Sequence, residues 1–326
     1  MLLLVQTNFG QDAMLPTEII LEVTNHCNLK CKFCHIHGNG SVFSRKKGMM
    51  PRKIWEKILE EIAGWSVNVS LITHGAGEPL LYPNLKELLI EAKKLSNATV
   101  GFMTNAMLLD EQMSKFLVEN RIDWIALSID GTEPETHDAV RRGARLERIE
   151  RNLNKLIRLK KDQGSERPLL KFNMVMYPGF EDQKMKYLER WLPHAESIMF
   201  SKFRPVGEKT LWTEAKDEPE FEPCQLLFRQ AVIAWDGRMA LCCEDIHIEA
   251  SPGDVSKNSL EDIFNHSQVY KRYRQDHQRG EISDLPLCKD CHIWASGKVL
   301  EEKEIDVAGI AVRWTKTLAC EKFTVN

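Results

Sequence analysis

The chain has no apolar run approaching the roughly 20 residues that cross a bilayer. It also lacks a secretory start: the opening MLLLVQTNFGQDAML has a brief apolar patch and no basic segment before it. The positive excess of a nucleic-acid binder is missing too, since the formal net charge is -3. No internal sequence repeat or low-complexity tract interrupts it. These absences leave a reducing cytoplasm as the expected compartment, with neither membrane nor nucleic acid as a partner. What is present is an ordinary globular composition, 43% hydrophobic and 28% charged. A length of 326 residues allows one large α/β domain plus a smaller appendage. Nine cysteines without a secretion signal argue for metal ligation or redox chemistry over disulfides.

Apolar runs alternate with amphipathic segments. Strands are predicted at 18–24, 68–74, 98–104, 123–129, 169–176 and 197–203. Between them, helical spacing predicts helices near 51–62, 85–95, 110–119, 146–160 and 182–191, the first opened by Pro51. Six strand–helix repeats imply a parallel sheet with helices outside, a partial (β/α)6 TIM-like barrel spanning residues 17–207 after a 1–16 extension. Chemistry in such barrels sits at the C-terminal ends of the strands. The acidic, proline-containing stretch 208–223 reads as a linker. Beyond it, 230–235 and 238–243 flank Asp236-Gly237 as a hairpin. Ser259 is a candidate cap for a helix running to about His277. The auxiliary unit is placed at 224–296. The tail 297–326 holds one strand-like run, AGIAVRW, with no assigned place.

The first strand runs straight into Cys27, Cys31 and Cys34, spaced C-x3-C-x2-C. Three thiolates on one tight loop can hold three irons of a cubane cluster, leaving the fourth iron open. The motif alone also admits half of a zinc site, with His35 or His37 as a further ligand.

Cys27–Cys34, with Phe33 at the aromatic position, resembles the signature of the radical S-adenosylmethionine (SAM) superfamily. Three further stretches resemble that family's motifs: Gly75-Ala76-Gly77-Glu78-Pro79, Thr104-Asn105-Ala106, and Ser128-Ile129-Asp130-Gly131 with Arg142-Gly143 downstream. The departures are Ala76 and Ala106, both small. The resemblance implies a 4Fe–4S cluster on the three cysteines, with SAM chelating the open iron. One electron then cleaves SAM to methionine and a 5′-deoxyadenosyl radical, which takes a hydrogen atom from a substrate. It implies a flavodoxin- or ferredoxin-type electron donor. It further implies SAM contacts from Phe33, Gly75, Gly77, Glu78, Asn105, Ser128 and Arg142. Asp130 is a weaker candidate, since Asp-Gly also suits a plain turn.

Cys224, Cys242, Cys288 and Cys291 form a second set, C-x12-G-x4-C followed by C-x2-C. Four thiolates fit a fully ligated 4Fe–4S cluster or a structural zinc, and spacing alone does not separate them. The pattern resembles the SPASM and twitch extensions of radical SAM enzymes. Gly297 stands where a full SPASM series continues with cysteine, which implies a twitch-type hairpin–helix domain with one auxiliary cluster. Cys243 is expected to be a buried thiol, and Cys320 structural or free.

A fully ligated cluster near a radical site can accept an electron. Twitch enzymes of this layout resemble dehydrogenases of aminocyclitol alcohols. The first expectation is therefore a radical SAM oxidoreductase acting on a small alcohol or sugar-like substrate. The second is a peptide- or protein-modifying enzyme. Only 26 residues precede Cys27, fewer than the leader-binding module of many peptide maturases, which lowers that expectation. A non-enzymatic metal scaffold is the third. Arg204, at the end of the sixth strand, is a candidate for substrate contact or alkoxide stabilisation. Arg45, Lys46, Lys47, Arg52 and Lys53 read as a solvated basic face, or as an entrance suited to an anion.

Overall fold

The structure is a computed structural model, and it describes residues 14–204 and 220–326. The expected alternation is present. In chain order it runs β1 (Glu18–Leu21), α1 (Arg52–Ala63), β2 (Val69–Ile72), α2 (Leu85–Lys93), β3 (Ala98–Thr104), α3 (Glu111–Glu119) and β4 (Trp124–Ser128). It continues with α4 (Pro134–Val140), α5 (Leu146–Asp162), β5 (Leu169–Met176), α6 (Gln183–Trp191) and β6 (Ser197–Lys202). β1 to β6 pair side by side in sequence order, all parallel. Each helix buries one stripe on the sheet. In α1 that stripe is Ile54, Trp55, Ile58, Leu59 and Ile62, the residues set at helical spacing. Pro51 stands at the position before α1 without a side-chain capping bond, and the Asp110 carboxylate caps α3 by accepting from the Met113 N–H at 2.8 Å.

After the barrel come α7 (Leu226–Arg229), β7 (Gln230–Ile233), β8 (Met239–Ala240), α8 (Leu260–His266) and α9 (Gln268–Arg279). β7 and β8 form the expected antiparallel hairpin. The single helix expected to reach His277 is two helices. Ser267 breaks it with extended backbone and caps α9, its hydroxyl accepting from the Val269 N–H at 3.3 Å. Residues 205–219, most of the expected linker, lie outside the described residues.

The larger departure is how the later segments join the barrel. β7 pairs in parallel with β1, from Glu18↔Gln230 to Leu21↔Ile233. The 297–326 tail is an antiparallel meander of β9 (Val299–Val307), β10 (Ile310–Thr317) and β11 (Cys320–Val325). β11 lies antiparallel on β6. One sheet therefore runs β8-β7-β1-β2-β3-β4-β5-β6-β11-β10-β9. An open partial barrel exposes two strand edges, each a row of unpaired backbone groups. Later segments of the chain cover both.

The auxiliary unit is also tied to α1. The Glu61 carboxylate accepts from the Leu260 and Glu261 N–H groups at 2.9 and 2.7 Å, at the N-terminus of α8. The Lys57 ammonium donates to the Asn258 carbonyl at 2.8 Å. Among the described residues no helix is long and apolar enough to cross a membrane.

Candidate functional site

The chain leaves β1 at Glu22 on the C-terminal rim and enters the loop of Cys27, Cys31 and Cys34. Backbone hydrogen bonds fix this loop to the α4–α5 turn: Lys30 N–H to the Arg142 carbonyl at 2.9 Å, and Lys32 N–H to the Val140 carbonyl at 2.8 Å. Two N–H groups already point at sulfur, from Leu29 to Cys27 at 3.4 Å and from His37 to Cys34 at 3.2 Å. Such bonds favour thiolate. Burial opposes it in the bare protein, pushing the Cys27 thiol up to about 12 and raising Cys31 as well. The thiolates are thus built to form together with a bound metal.

Glu22 anchors the loop. Its carboxylate pairs with Arg45, whose Nη1 donates at 2.9 Å, and both side chains are only 6% exposed. It also accepts from the Ala76 and Trp235 N–H groups, each at 3.3 Å. Arg45 Nε donates to the Ile246 carbonyl at 2.7 Å. One ion pair therefore joins β1, the cysteine loop, the Gly75 loop and the auxiliary unit. Of the expected solvated basic face, Lys46, Lys47, Arg52 and Lys53 are exposed, and Arg45 departs from it. Arg45 is a buried clamp, and Arg52 is engaged by Glu56 and Glu87.

The family-motif residues converge on the rim, with one shift of register. Gly75 and Gly77 border the cavity but also pack against chain. A Cβ on Gly77 would stand 2.4 Å from the His26 carbonyl, and one on Gly75 would stand 2.6 Å from the Glu22 Cβ. Their lack of side chain lets the loop sit against the entry to the cysteine segment. Glu78 is 3% exposed. It accepts from the Thr104 hydroxyl at 2.7 Å and from the Asn105 and Leu80 N–H groups at 2.9 and 3.2 Å. Three of about four carboxylate acceptor sites are thereby used. Asn105 donates from Nδ2 to the Asn28 side chain at 2.9 Å, tying the end of β3 to the cysteine loop. Ser128 and Phe33 line the same space.

Arg142 does not. It is exposed and contributes its carbonyl. The arginine turned inward is Arg141, which lines the cavity with its guanidinium 5.2 Å from the Phe33 ring centroid. The reason is Asp130, 0% exposed. It accepts from Arg141 Nε at 2.6 Å and from the Val175 N–H at 2.8 Å. A buried carboxylate draws the adjacent cation inward and leaves the next residue in solvent.

A single cavity of about 1090 Å³ is lined by Cys27, Cys31 and Cys34 together with Cys224, Cys242, Cys288 and Cys291. The thiols of Cys242 and Cys291 are both raised, first by burial, and both feel the charge of Cys224. No three His, Cys, Asp or Glu side chains among the described residues converge on one metal-ion position. A tetrahedral zinc would hold its sulfurs about 2.3 Å from the metal and about 3.8 Å from one another. A fully ligated cubane spreads its four cysteines over four irons instead of one metal ion. Cys243 is exposed and borders the cavity, which corrects the buried thiol expected there. Cys320 lies at the start of β11, its sulfur 3.5 Å from the Thr317 hydroxyl, and does not line the cavity.

Arg204 reaches the cavity but is engaged. Its two Nη atoms donate to the Glu244 carboxylate at 2.7 and 3.3 Å, linking the end of β6 to the loop after Cys242. Residues not singled out from sequence also line the wall: His74, Asn173, Ser201 and Glu244. His74 Nδ1 accepts from the Met103 N–H at 3.1 Å, and burial holds its pKa down at about 4. The ring is neutral and its proton sits on Nε2. The Ser201 hydroxyl donates to Asn173 Oδ1 at 2.8 Å. A sequence signal existed: Asn173 stands between Phe172 and Met174 in β5, and Ser201 follows Ile198-Met199-Phe200 in β6.

The profile of the radical SAM superfamily matches residues 21–192, more than half of the chain. The chain belongs to the radical SAM superfamily. A SPASM iron–sulfur cluster-binding domain matches residues 224–292, a span that holds Cys224, Cys242, Cys243, Cys288 and Cys291. GTP 3′,8-cyclase of Chlorobaculum tepidum is 27% identical over 194 residues, 59% of this chain and 55% of that protein. The chain thus spans about half the length of that relative. The tungsten-containing aldehyde ferredoxin oxidoreductase cofactor-modifying protein of Pyrococcus furiosus is 27% identical over 336 residues, 89% of this chain and 91% of that protein.

Among solved structures, SuiB of Streptococcus suis bound to S-adenosylmethionine superposes with a TM-score of 0.64 at 16% identity, covering 80% of this chain and 68% of that one. BtrN in complex with AdoMet and 2-DOIA superposes at 0.58 and 18% identity, covering 86% and 94%. At such identities the likeness is one of fold, the partial barrel with its C-terminal extension. This radical SAM chain binds SAM and an iron–sulfur cluster in the barrel and carries an iron–sulfur domain after it.

Proposed function

We propose that this radical SAM enzyme oxidises a hydroxyl-bearing carbon of a small, uncharged or amino-substituted substrate in a reducing cytoplasm. The observation that carries the reading is that both cysteine sets border one cavity. When loaded, the barrel site supplies a carbon-centred radical for hydrogen abstraction and the auxiliary site a one-electron sink. A secondary alcohol that loses a hydrogen atom, a proton and an electron becomes a carbonyl, so the balance needs no nicotinamide. The electron for SAM cleavage comes from a flavodoxin- or ferredoxin-type donor.

The chain's residues have definite parts in this scheme. Glu78 and Asn105 hold the two motif loops together around the amino-acid end of SAM, while Arg141, steadied by Asp130, faces its carboxylate. Phe33 lies on the adenine side. Ser128, Asn173, Ser201 and the neutral His74 form an uncharged hydrogen-bonding wall on β4, β5, β6 and after β2. Both arginines lining the cavity are already paired with carboxylates, and no lysine among the described residues lines it. That disfavours a triphosphate of the kind the name GTP 3′,8-cyclase implies. The cavity of about 1090 Å³ has to take in SAM and the inner faces of both clusters as well as the substrate, which favours a compact substrate.

A second reading is peptide modification. It is favoured by the fold it shares with SuiB bound to precursor peptide SuiA, at a TM-score of 0.63. Incubation with SAM, dithionite and matched panels of deuterated polyols, aminocyclitols, peptides and GTP decides between them. Deuterium in 5′-deoxyadenosine with carbonyl formation from a polyol or aminocyclitol is expected. Transfer from peptide alone would replace the first reading with the second.

A further inference from the structure

His277, on α9, is 1% exposed. Its ring stacks on Phe221 with centroids 5.9 Å apart. The Cys224 N–H donates to its Nδ1 at 3.4 Å. An accepting Nδ1 puts the ring proton on Nε2. Nε2 is buried and has no hydrogen-bond partner among the described residues. The side chain nonetheless lines the cavity together with Cys224, Cys288 and Cys291. A buried N–H without an acceptor is costly, and native proteins rarely leave one so. The acceptors this site gains when loaded are sulfurs.

We propose that His277 donates its Nε2 proton to the sulfur shell of the auxiliary cluster and thereby raises that cluster's reduction potential. Reduction places extra negative charge on the sulfurs, so a fixed N–H donor stabilises the reduced form more than the oxidised one. A cluster that is to receive an electron from a substrate-derived radical benefits from that direction of shift. His277 is a positioning residue, since it also holds the Cys224 backbone. The inference rests on the iron–sulfur reading of Cys224, Cys242, Cys288 and Cys291.

The test uses the full chain in a C27A/C31A/C34A background, which leaves the auxiliary cluster alone. Potentials are measured by titration followed by electron paramagnetic resonance, with iron counted in each sample. His277→Phe removes the donor and keeps the ring, and His277→Gln keeps an N–H of similar reach. The reduction equilibrium is expected to fall about tenfold in H277F, about 59 mV for one electron. H277Q should recover most of it. Equal potentials with iron retained would overturn the proposal. The parent protein, labelled with 15N-histidine, gives a check that survives loss of the cluster in H277F. A weak nitrogen coupling to the reduced cluster is expected. No coupling, or the strong coupling of a direct ligand, overturns the proposal. A parent protein without about four irons in this background fails at the cluster reading itself.

Discussion

Replacing Arg141 separates the two adjacent arginines. The Arg141 and Asp130 side chains are 8% and 0% exposed, and Nε meets the carboxylate at 2.6 Å. Removing one partner of a buried pair leaves an uncompensated charge and costs about 3–5 kcal/mol. Asp130 keeps the Val175 N–H at 2.8 Å, so the loss in Arg141→Met belongs at the lower end, near 3 kcal/mol. Arg142 is exposed, and Arg142→Met should stay within about 0.5 kcal/mol. Urea unfolding of the apo chain reads both. The double variant Asp130→Asn with Arg141→Met removes both charges and should be more stable than Arg141→Met alone. Function should follow the same order. Only Nε of Arg141 is hydrogen-bonded among the described residues, leaving its Nη groups for the cavity. A charge-assisted contact is worth about 1.5–3 kcal/mol, so SAM affinity should fall at least tenfold in Arg141→Met and hold in Arg142→Met. Loss of SAM binding in Arg142→Met with retention in Arg141→Met would refute the placement.

Three further outcomes follow from the same geometry. Arg45→Met breaks the buried pair with Glu22 and should cost about 3–5 kcal/mol, with loss of iron from the barrel site on reconstitution; unchanged stability and iron content would contradict the clamp. Ala106 sits at φ 57, in the left-handed region, so Ala106→Gly should stabilise the chain by about 1 kcal/mol in thermal or urea unfolding with SAM cleavage unaltered. The Cys27 thiol is pushed from the ordinary 9.0 up to about 12, so the unfolded chain ionises it first. The apo protein should keep this contribution below pH 9.0 and lose stability as pH rises from there towards 12, and a urea midpoint equal at pH 7 and pH 10 would argue against it.

How much was legible in the sequence varies by element. The six parallel strands and the helices predicted between them follow from local periodicity, because each strand and helix buries its own stripe wherever it packs. The cysteine spacing defines a three-thiolate loop, since that motif is contiguous along the chain, and the other family-like motifs, not the spacing alone, point to an open iron. The choice between Arg141 and Arg142 was not legible, because it depends on a carboxylate eleven positions away being buried under β5. The fate of Arg45 was not legible either. An arginine in a basic run looks solvated until Glu22 is seen paired with it, both side chains 6% exposed.

The same division holds for the whole protein. By itself, the sequence determined the chemistry available: thiolates at two spacings, glycine-rich rim loops and a parallel barrel to carry them. The tertiary structure decided how these parts meet. It laid β7 on β1 and β11 on β6, because exposed strand edges need partners and only distant segments of chain can supply them. That closure brings the second set of cysteines to the cavity of the first and leaves His277 with a buried proton facing it.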